Sequence, residues 1–286
     1  MSKKSLFSKN ILIALLLASL SLWYVLIFDK DNLLRVYTLN VGQGDAILIS
    51  KNHFQLLVDT GRGDMTYSRV KQYLPFNDNK IELLILSHLD GDHIGGGKNI
   101  VDKIVVDEIW TLNWQKDTEM VKELKNKVEE KKILTKFIRA GEEKIIQTHE
   151  GEIKIKTINP AEYILESEGN NNSIVVKVSY NELDFLLTGD LENEGEKKLL
   201  EKNIDLQSEI LKVGHHGSRS STSQEFIDRV KPEVSLISVG KNSYGHPSQD
   251  ILNRLKSINS KIYRTDKSGT IEISTDGKIY SVKTEK

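Results

Sequence analysis

One stretch of the chain stands apart from the general mixture of apolar and polar positions. Residues 11–28 carry no charge over eighteen positions, are dominated by Leu, Ile and Ala, and hold Trp23 and Tyr24 toward the far end. No polar face interrupts this run at helical spacing, which separates it from an amphipathic core helix. As a helix rising about 1.5 Å per residue it reaches roughly 27 Å, close to the hydrocarbon thickness of a bilayer. Past residue 33 the pattern changes. Residues 34–41, 46–50, 54–59 and 82–87 read as strands, while 119–132, a polar stretch with sparse apolar positions, reads as a helix. Further helices are expected over 192–202, 223–230 and 249–258, each followed by a strand-like run. Between 262 and 282 short β runs are broken at 266–269 and at Asp276-Gly277, both hairpin-type turns. The interleaving predicts one α/β domain over residues 31–286, preceded by a tail and membrane anchor over 1–30.

Charge and composition sharpen this picture. Lys3, Lys4 and Lys9 precede the apolar run and hold that end in the cytoplasm, which sends Asp29 and everything after it to the outer side. A cleaved signal peptide, and hence secretion, is the alternative. Against it, bulky Trp23, Tyr24, Leu26, Ile27 and Phe28 fill the place where a small-residue cleavage pattern belongs. The expectation is therefore a single-pass cell-membrane protein with an extracytoplasmic domain. With the four lysines and one aspartate of residues 1–30 set aside, 36 basic and 40 acidic residues remain, a net charge of −4. Net charge thus supplies no argument for nucleic acid. The chain has no cysteine, which excludes disulfides and thiol catalysis and leaves His, Asp and Glu as the side chains for any metal.

The densest chemistry lies in residues 85–96, where His88, Asp90, Asp92 and His93 fall within six positions just after an apolar strand. His88 and Asp90 are two apart and point the same way from an extended strand end, and Gly91 lets Asp92 and His93 turn into a second position. One loop can thus seed two adjacent metal sites, whereas a solvated polar turn needs neither histidine. Asp190 ends the apolar run 185–190, where a carboxylate is costly unless cations face it; a helix-capping role is its ordinary alternative. His215, His216 and His246 follow the strand-like runs 209–213 and 234–239, the first two between Gly214 and Gly217. His53 and His149 sit among polar residues and read as solvated.

These segments resemble the metallo-β-lactamase superfamily, whose signature is His-x-His-x-Asp-His after a β-strand. Asp90 stands where most members carry the second His. That variant is similar to the extracytoplasmic hydrolase domain of ComEC-family competence proteins. So are the blocks that begin at Asn40-Val-Gly-Gln-Gly-Asp45, Val58-Asp-Thr-Gly61, Asn171-Asn-Ser173, Leu186-Leu-Thr-Gly-Asp190, Leu211-Lys-Val-Gly-His-His-Gly-Ser218 and Gly245-His-Pro-Ser248. The resemblance implies a four-layer αββα sandwich with two divalent metal ions at one edge. His88 and Asp90 would hold the first, Asp92 and His93 the second, and Asp190 would bridge them. His215 and His246 are expected near the metals and His216 toward substrate, with Asp92, His216 and Asp190 in catalysis; which of the three late histidines ligate stays open. Where many members supply a third His, this chain has Asn170 to Ser173, so Asn172 and Ser173 are candidates for substrate contact. Oxygen-rich ligands make manganese as suitable as zinc. Lys212 and Ser218 are expected on phosphate oxygens. The implied function is a metal-dependent phosphodiesterase or nuclease acting on DNA outside the membrane. A hydrolase of small esters, lactones or thioesters and a catalytically idle metal-bearing binding module are the alternatives.

Overall fold

A computed structural model describes residues 3–28, 32–114, 116–160, 166–202 and 204–286, the side chains of 3–8, 24–28 and 166–168 excepted. The chain divides into two units, Met1–Asn32 and Leu33–Lys286. The first is helix α1 (Lys3–Phe28), along which Leu12, Leu15, Leu16, Leu20 and Trp23 are all exposed. Among the described residues no helix is long and apolar enough to cross a membrane. The expected anchor, residues 11–28, extends past the described side chains, which end at Trp23.

Two large sheets build the second unit, with a small two-stranded pair formed by Lys80–Ile81 and Val105–Val106 beside them. The first runs in the order β15 (Tyr280–Thr284), β14 (Ile271–Thr275), β1 (Leu34–Thr38), β2 (Ile47–Lys51), β3 (Phe54–Val58), β4 (Leu83–Ile85), β5 (Glu108–Thr111), β6 (Leu134–Phe137). The second runs β13 (Lys261–Arg264), β12 (Val234–Ile237), β11 (Ile210–Lys212), β10 (Leu183–Leu187), β9 (Val175–Tyr180), β8 (Gly151–Asn159), β7 (Glu143–Thr148). Alternation along each strand decides what it faces. Ile47, Ile49, Leu56, Val58, Leu83 and Ile85 pack inward against Ile153, Ile155, Val176, Val178, Phe185 and Ile210 of the other sheet. Leu48, Leu57 and Leu84 point outward onto helices α2 (Met65–Tyr73), α4 (Gly97–Lys103) and α5 (Glu119–Glu130). Leu186, Leu211 and Ile237 do the same onto α6 (Asn193–Leu200), α7 (Gln224–Val230) and α8 (Gln249–Ser257). Strands buried on both faces explain the near-continuous apolar runs in the sequence. The result is the αββα sandwich that the resemblance implies.

Strands β3 to β6 are mutually parallel, and so are β10 to β13. Parallel pairing collects the carboxyl ends of these strands on one rim, the usual place for a site in such sheets. Two details depart from the sequence reading. The break at 266–269 is a short helix, α9 (Thr265–Ser268), that carries the chain from one sheet to the other rather than a hairpin, because β13 and β14 lie in different sheets. The hairpin β7–β8 was not legible, since the exposed edge strand β7 alternates without a strongly apolar face.

Glu108, at the start of β5, ties the edges of the two sheets together. Its buried carboxylate accepts from Trp110 Nε1 at 2.7 Å, pairs with Lys136 of β6 at 2.7 Å and receives Lys144 of β7. Burial pushes its carboxyl up, but the two lysines and the indole outweigh that and hold it at about 2. A folded-state value below the unfolded one contributes stability above about pH 4.5 that is lost as the pH falls toward 2. Glu108→Gln is expected to cost about 1–3 kcal/mol at neutral pH. In urea titrations the cost should shrink toward zero as the pH falls through that window; a cost independent of pH would contradict the assignment.

Candidate metal centre

The rim is assembled from strand ends that the packing above brings together. β3 ends in Asp59, buried and held at φ 61°. Its carboxylate accepts Ser87 N–H at 2.7 Å, Ser87 Oγ–H at 2.6 Å and His93 Nδ1–H at 2.8 Å. β4 runs out through Ser87 into His88, and the single turn of α3 (Gly91–Ile94) then lifts Asp92 and His93 onto the rim. The loop between β1 and β2 lies directly on that turn: Asp45 N–H donates to the Asp92 carbonyl at 3.1 Å. Gly44 permits the approach, because a Cβ there would stand 2.3 Å from the same oxygen. From the second sheet come Asp190, after β10, and the His215-His216 pair, after β11. Both histidines have left-handed backbone, φ 46° and 52°, a conformation ordinary side chains adopt only where the surroundings impose it.

Every one of the four imidazoles is turned the same way. Each Nδ1 has a partner on the protein side: Ser87 Oγ for His88 at 3.0 Å, Asp59 for His93 at 2.8 Å, Glu192 for His215 at 2.8 Å and the Ser238 carbonyl for His216 at 2.9 Å. Each Nε2 is aimed at Asp190 Oδ2, at 3.9 Å for His88, 3.2 Å for His93, 3.8 Å for His215 and 3.6 Å for His216. The Nε2 atoms of His88, His93 and His216, and Asp190 Oδ1, are buried without a hydrogen-bond partner. Buried polar atoms left unmatched around one point fit a cation, and an engaged Nδ1–H fixes the tautomer that leaves Nε2 free to ligate. Ligand atoms of His88, His93 and Asp190 lie within 4.8 Å of one another, as do those of Asp92, His93 and His216 and those of Asp45, Asp190 and His216.

The electrostatics agree. Burial pushes the Asp190 carboxyl up, yet His93 and His216 outweigh it and hold it well below the usual carboxylate range. Burial pushes His93 down, yet Asp190 and Asp59 keep it well above its ordinary value. His216, opposed by burial and drawn up by Asp190 and Asp45, stands at about 9, while burial and the neighbouring His93 take His88 down to about 4. The carboxylates therefore demand positive charge here, which metal binding supplies in exchange for protons.

The expected residues divide into three groups. His88, Asp92, His93, Asp190 and His216 meet at the cluster. His93 belongs to more than one ligand set, shared with His88 and Asp190 on one side and with Asp92 and His216 on the other. The order of the late histidines is reversed: His216 is buried with Nε2 3.3 Å from Asp92 Oδ2, and His215, with a side chain 24% exposed, takes the mouth. His246 packs its ring 5.5 Å from that of His215 and lies outside the ligand sets. Asp90 turns outward, 43% exposed, onto the Lys116 ammonium, because it precedes the α3 turn that lifts its neighbours inward. The expected substrate contacts are all engaged or buried within the protein. Lys212 is fully buried against Asp45 and donates to the Gly189 carbonyl at 3.2 Å. Ser173 is buried and accepts Asp190 N–H at 3.2 Å, and Asn172 is buried beside it. Ser218 bonds Ser220 at 2.9 Å, which in turn donates to Glu192 at 2.8 Å, so it braces His215 indirectly. The residues not anticipated are Asp45, Asp59, Ser87 and Glu192. For Asp45 and Asp59 a signal existed, a carboxylate beside glycine at a strand end, but only the tertiary contacts give it a partner.

Asp59→Asn is expected to lower metal affinity by about 10- to 100-fold, since it weakens the bond that orients His93. Calorimetric titration of the metal into the variant checks this, and an unchanged affinity would remove Asp59 from the site.

An αββα sandwich with imidazoles and carboxylates converging at the strand-end rim defines a metallo-β-lactamase fold. The family model of the metallo-β-lactamase superfamily matches residues 39–241, and the chain belongs to that superfamily. Within it the sequence is similar to ComEC-family competence proteins. ComE operon protein 3 of Bacillus subtilis is 31% identical over 259 residues, covering 82% of this chain and 32% of the relative. Recombination protein 2 of Haemophilus influenzae is 31% identical over 245 residues, covering 84% and 29%. Competence protein ComA of Neisseria gonorrhoeae is 29% identical over 249 residues, covering 85% and 32%. The chain thus spans about a third of the length of these curated relatives. Among solved structures, the metallo-β-lactamase fold protein YhfI of Bacillus subtilis superposes with a TM-score of 0.52 at 12% identity, over 84% of this chain and 99% of that one. CmlA β-hydroxylase gives 0.56 at 10% identity, over 85% and 54%, which supports the fold alone.

Proposed function

We propose that the domain is a phosphodiester hydrolase acting on DNA outside the membrane, with two divalent ions, zinc or manganese, held at the rim. The convergence of four Nε2 atoms on Asp190 carries this reading. His88, His93 and Asp190 would hold one ion, and His216, which shares one ligand set with Asp92 and His93 and another with Asp45 and Asp190, would serve the other. Bound there, such ions supply Lewis acidity toward a phosphoryl oxygen and water that ionises near neutral pH. His215 is the one imidazole of the four that both the cluster and solvent reach, and Glu192 holds its Nδ1–H. Its Nε2 can therefore accept a proton from the attacking water and, as an imidazolium steadied by Glu192, pass that proton to a departing oxygen. Relatives named for competence and recombination support DNA as the substrate. The uncharged run 11–28, helical and preceded by lysines, supports an anchor that leaves the domain on the outer side.

The test is turnover by the full chain of single-stranded DNA, bis-nitrophenyl phosphate and a panel of lactones, esters and thioesters, with manganese or zinc and with chelator. Metal-dependent cleavage of the first two is expected. Turnover confined to the panel would replace this function with carboxylic-ester hydrolysis, and none with any metal would leave a binding module.

A further inference from the structure

The loop that follows β12 carries an aromatic ring to the mouth of the metal centre and keeps it in water. Asn242 fixes the loop's shape. Its Nδ2 donates to the carbonyl oxygens of Gly240 and His246, both at 2.9 Å, and its Oδ1 accepts the N–H groups of Tyr244 at 3.1 Å and His246 at 3.0 Å. So held, Tyr244 is 69% exposed. Its ring lies 5.7 Å from that of His246, which lies 5.5 Å from His215, whose Nε2 is 3.8 Å from Asp190. Two ring contacts thus link an open aromatic face to the cluster. Lys241, on the same loop, is exposed and makes no ion pair among the described residues.

An aromatic side chain left in water forgoes the free energy of burial, and a single exposed one needs no special account on its own. Tyr244 differs because one side chain spends four hydrogen bonds holding the loop that presents it, at the edge of a site for anionic substrate. Every nucleobase offers a π face, so a fixed ring beside a cation binds single-stranded nucleic acid without reading its sequence. We infer that Tyr244 is a stacking platform for a nucleobase next to the scissile phosphodiester, with Lys241 serving the adjoining phosphate. This inference rests on the phosphodiester reading above and narrows its substrate to base-bearing single strands.

The experiment compares the full chain with its Tyr244→Ala and Tyr244→Phe variants on two oligonucleotides of one backbone, oligothymidylate and a tetrahydrofuran abasic strand. For oligothymidylate, Tyr244→Ala should raise KM by about 5- to 100-fold with a far smaller effect on kcat. Tyr244→Phe, which keeps the ring, should restore KM to within about twofold. On the abasic strand the two variants should differ little from each other. An unchanged KM for Tyr244→Ala on oligothymidylate, or an equal loss on both strands, would overturn the platform while leaving phosphodiester hydrolysis standing. A wild-type chain that cleaves neither strand would remove both.

Discussion

Asp190→Ala is expected to strip the rim of divalent metal and reduce hydrolysis by about a thousandfold or more, several kcal/mol of transition-state stabilisation. The reason is geometric. Among the described residues Asp190 Oδ2 is the atom that faces all four Nε2 atoms, and the residue is only 3% exposed, so no water-borne anion can take its place. Without it His93 keeps Asp59 as its one ion-pair partner among the described residues, and the cluster loses the carboxylate on which the imidazoles converge. Metal content after gel filtration, read by mass spectrometry, should fall from stoichiometric toward background. Wild-type protein should melt at higher temperature when metal is added, and the variant should not respond. Wild-type metal content in the variant would refute the central role given to this carboxylate.

The second large effect is on stability. Lys212→Met is expected to destabilise the fold by about 3–5 kcal/mol, because it leaves the buried Asp45 carboxylate without its countercharge. Lys212 and Asp45 are both essentially inaccessible to water, and the burial that pushes the Asp45 carboxyl up is overcome first by Lys212 and then by His216, which hold it well below the usual range. Urea unfolding with and without metal measures the loss. Asp45→Asn combined with Lys212→Met should be less destabilised than the sum of the single changes, since the pair acts as a unit. Strict additivity, or a loss under about 1 kcal/mol, would show that the ammonium is not what keeps Asp45 charged. The same lysine donates to the carbonyl just before Asp190, so metal affinity should fall with stability.

Much of the architecture was legible because burial on both faces writes itself into composition. Strands β2, β3, β4 and β10 had to be apolar on alternate and intervening positions alike. The edge strand β7 escaped because nothing compels an edge to be apolar. At the site, His88, Asp92, His93 and Asp190 announced themselves by density and by a carboxylate closing an apolar strand. Lys212 misled for an instructive reason: a lysine beside two histidines suggests phosphate, and only the fold shows that Asp45 lies beneath it.

What the amino-acid sequence determined by itself was the alternation that makes two sheets pack face to face, and a ligand chemistry confined to imidazole and carboxylate by the absence of cysteine. The tertiary structure decided which of those groups meet. Left-handed backbone at His215 and His216 sends the second ring inward and leaves the first at the mouth, and one turn of helix after Asp90 separates it from Asp92. Side-chain periodicity reports the face of a regular element; it carries no information on the torsions of a turn. Nor does it tell which loops, distant in the chain, parallel strand ends will bring to one rim.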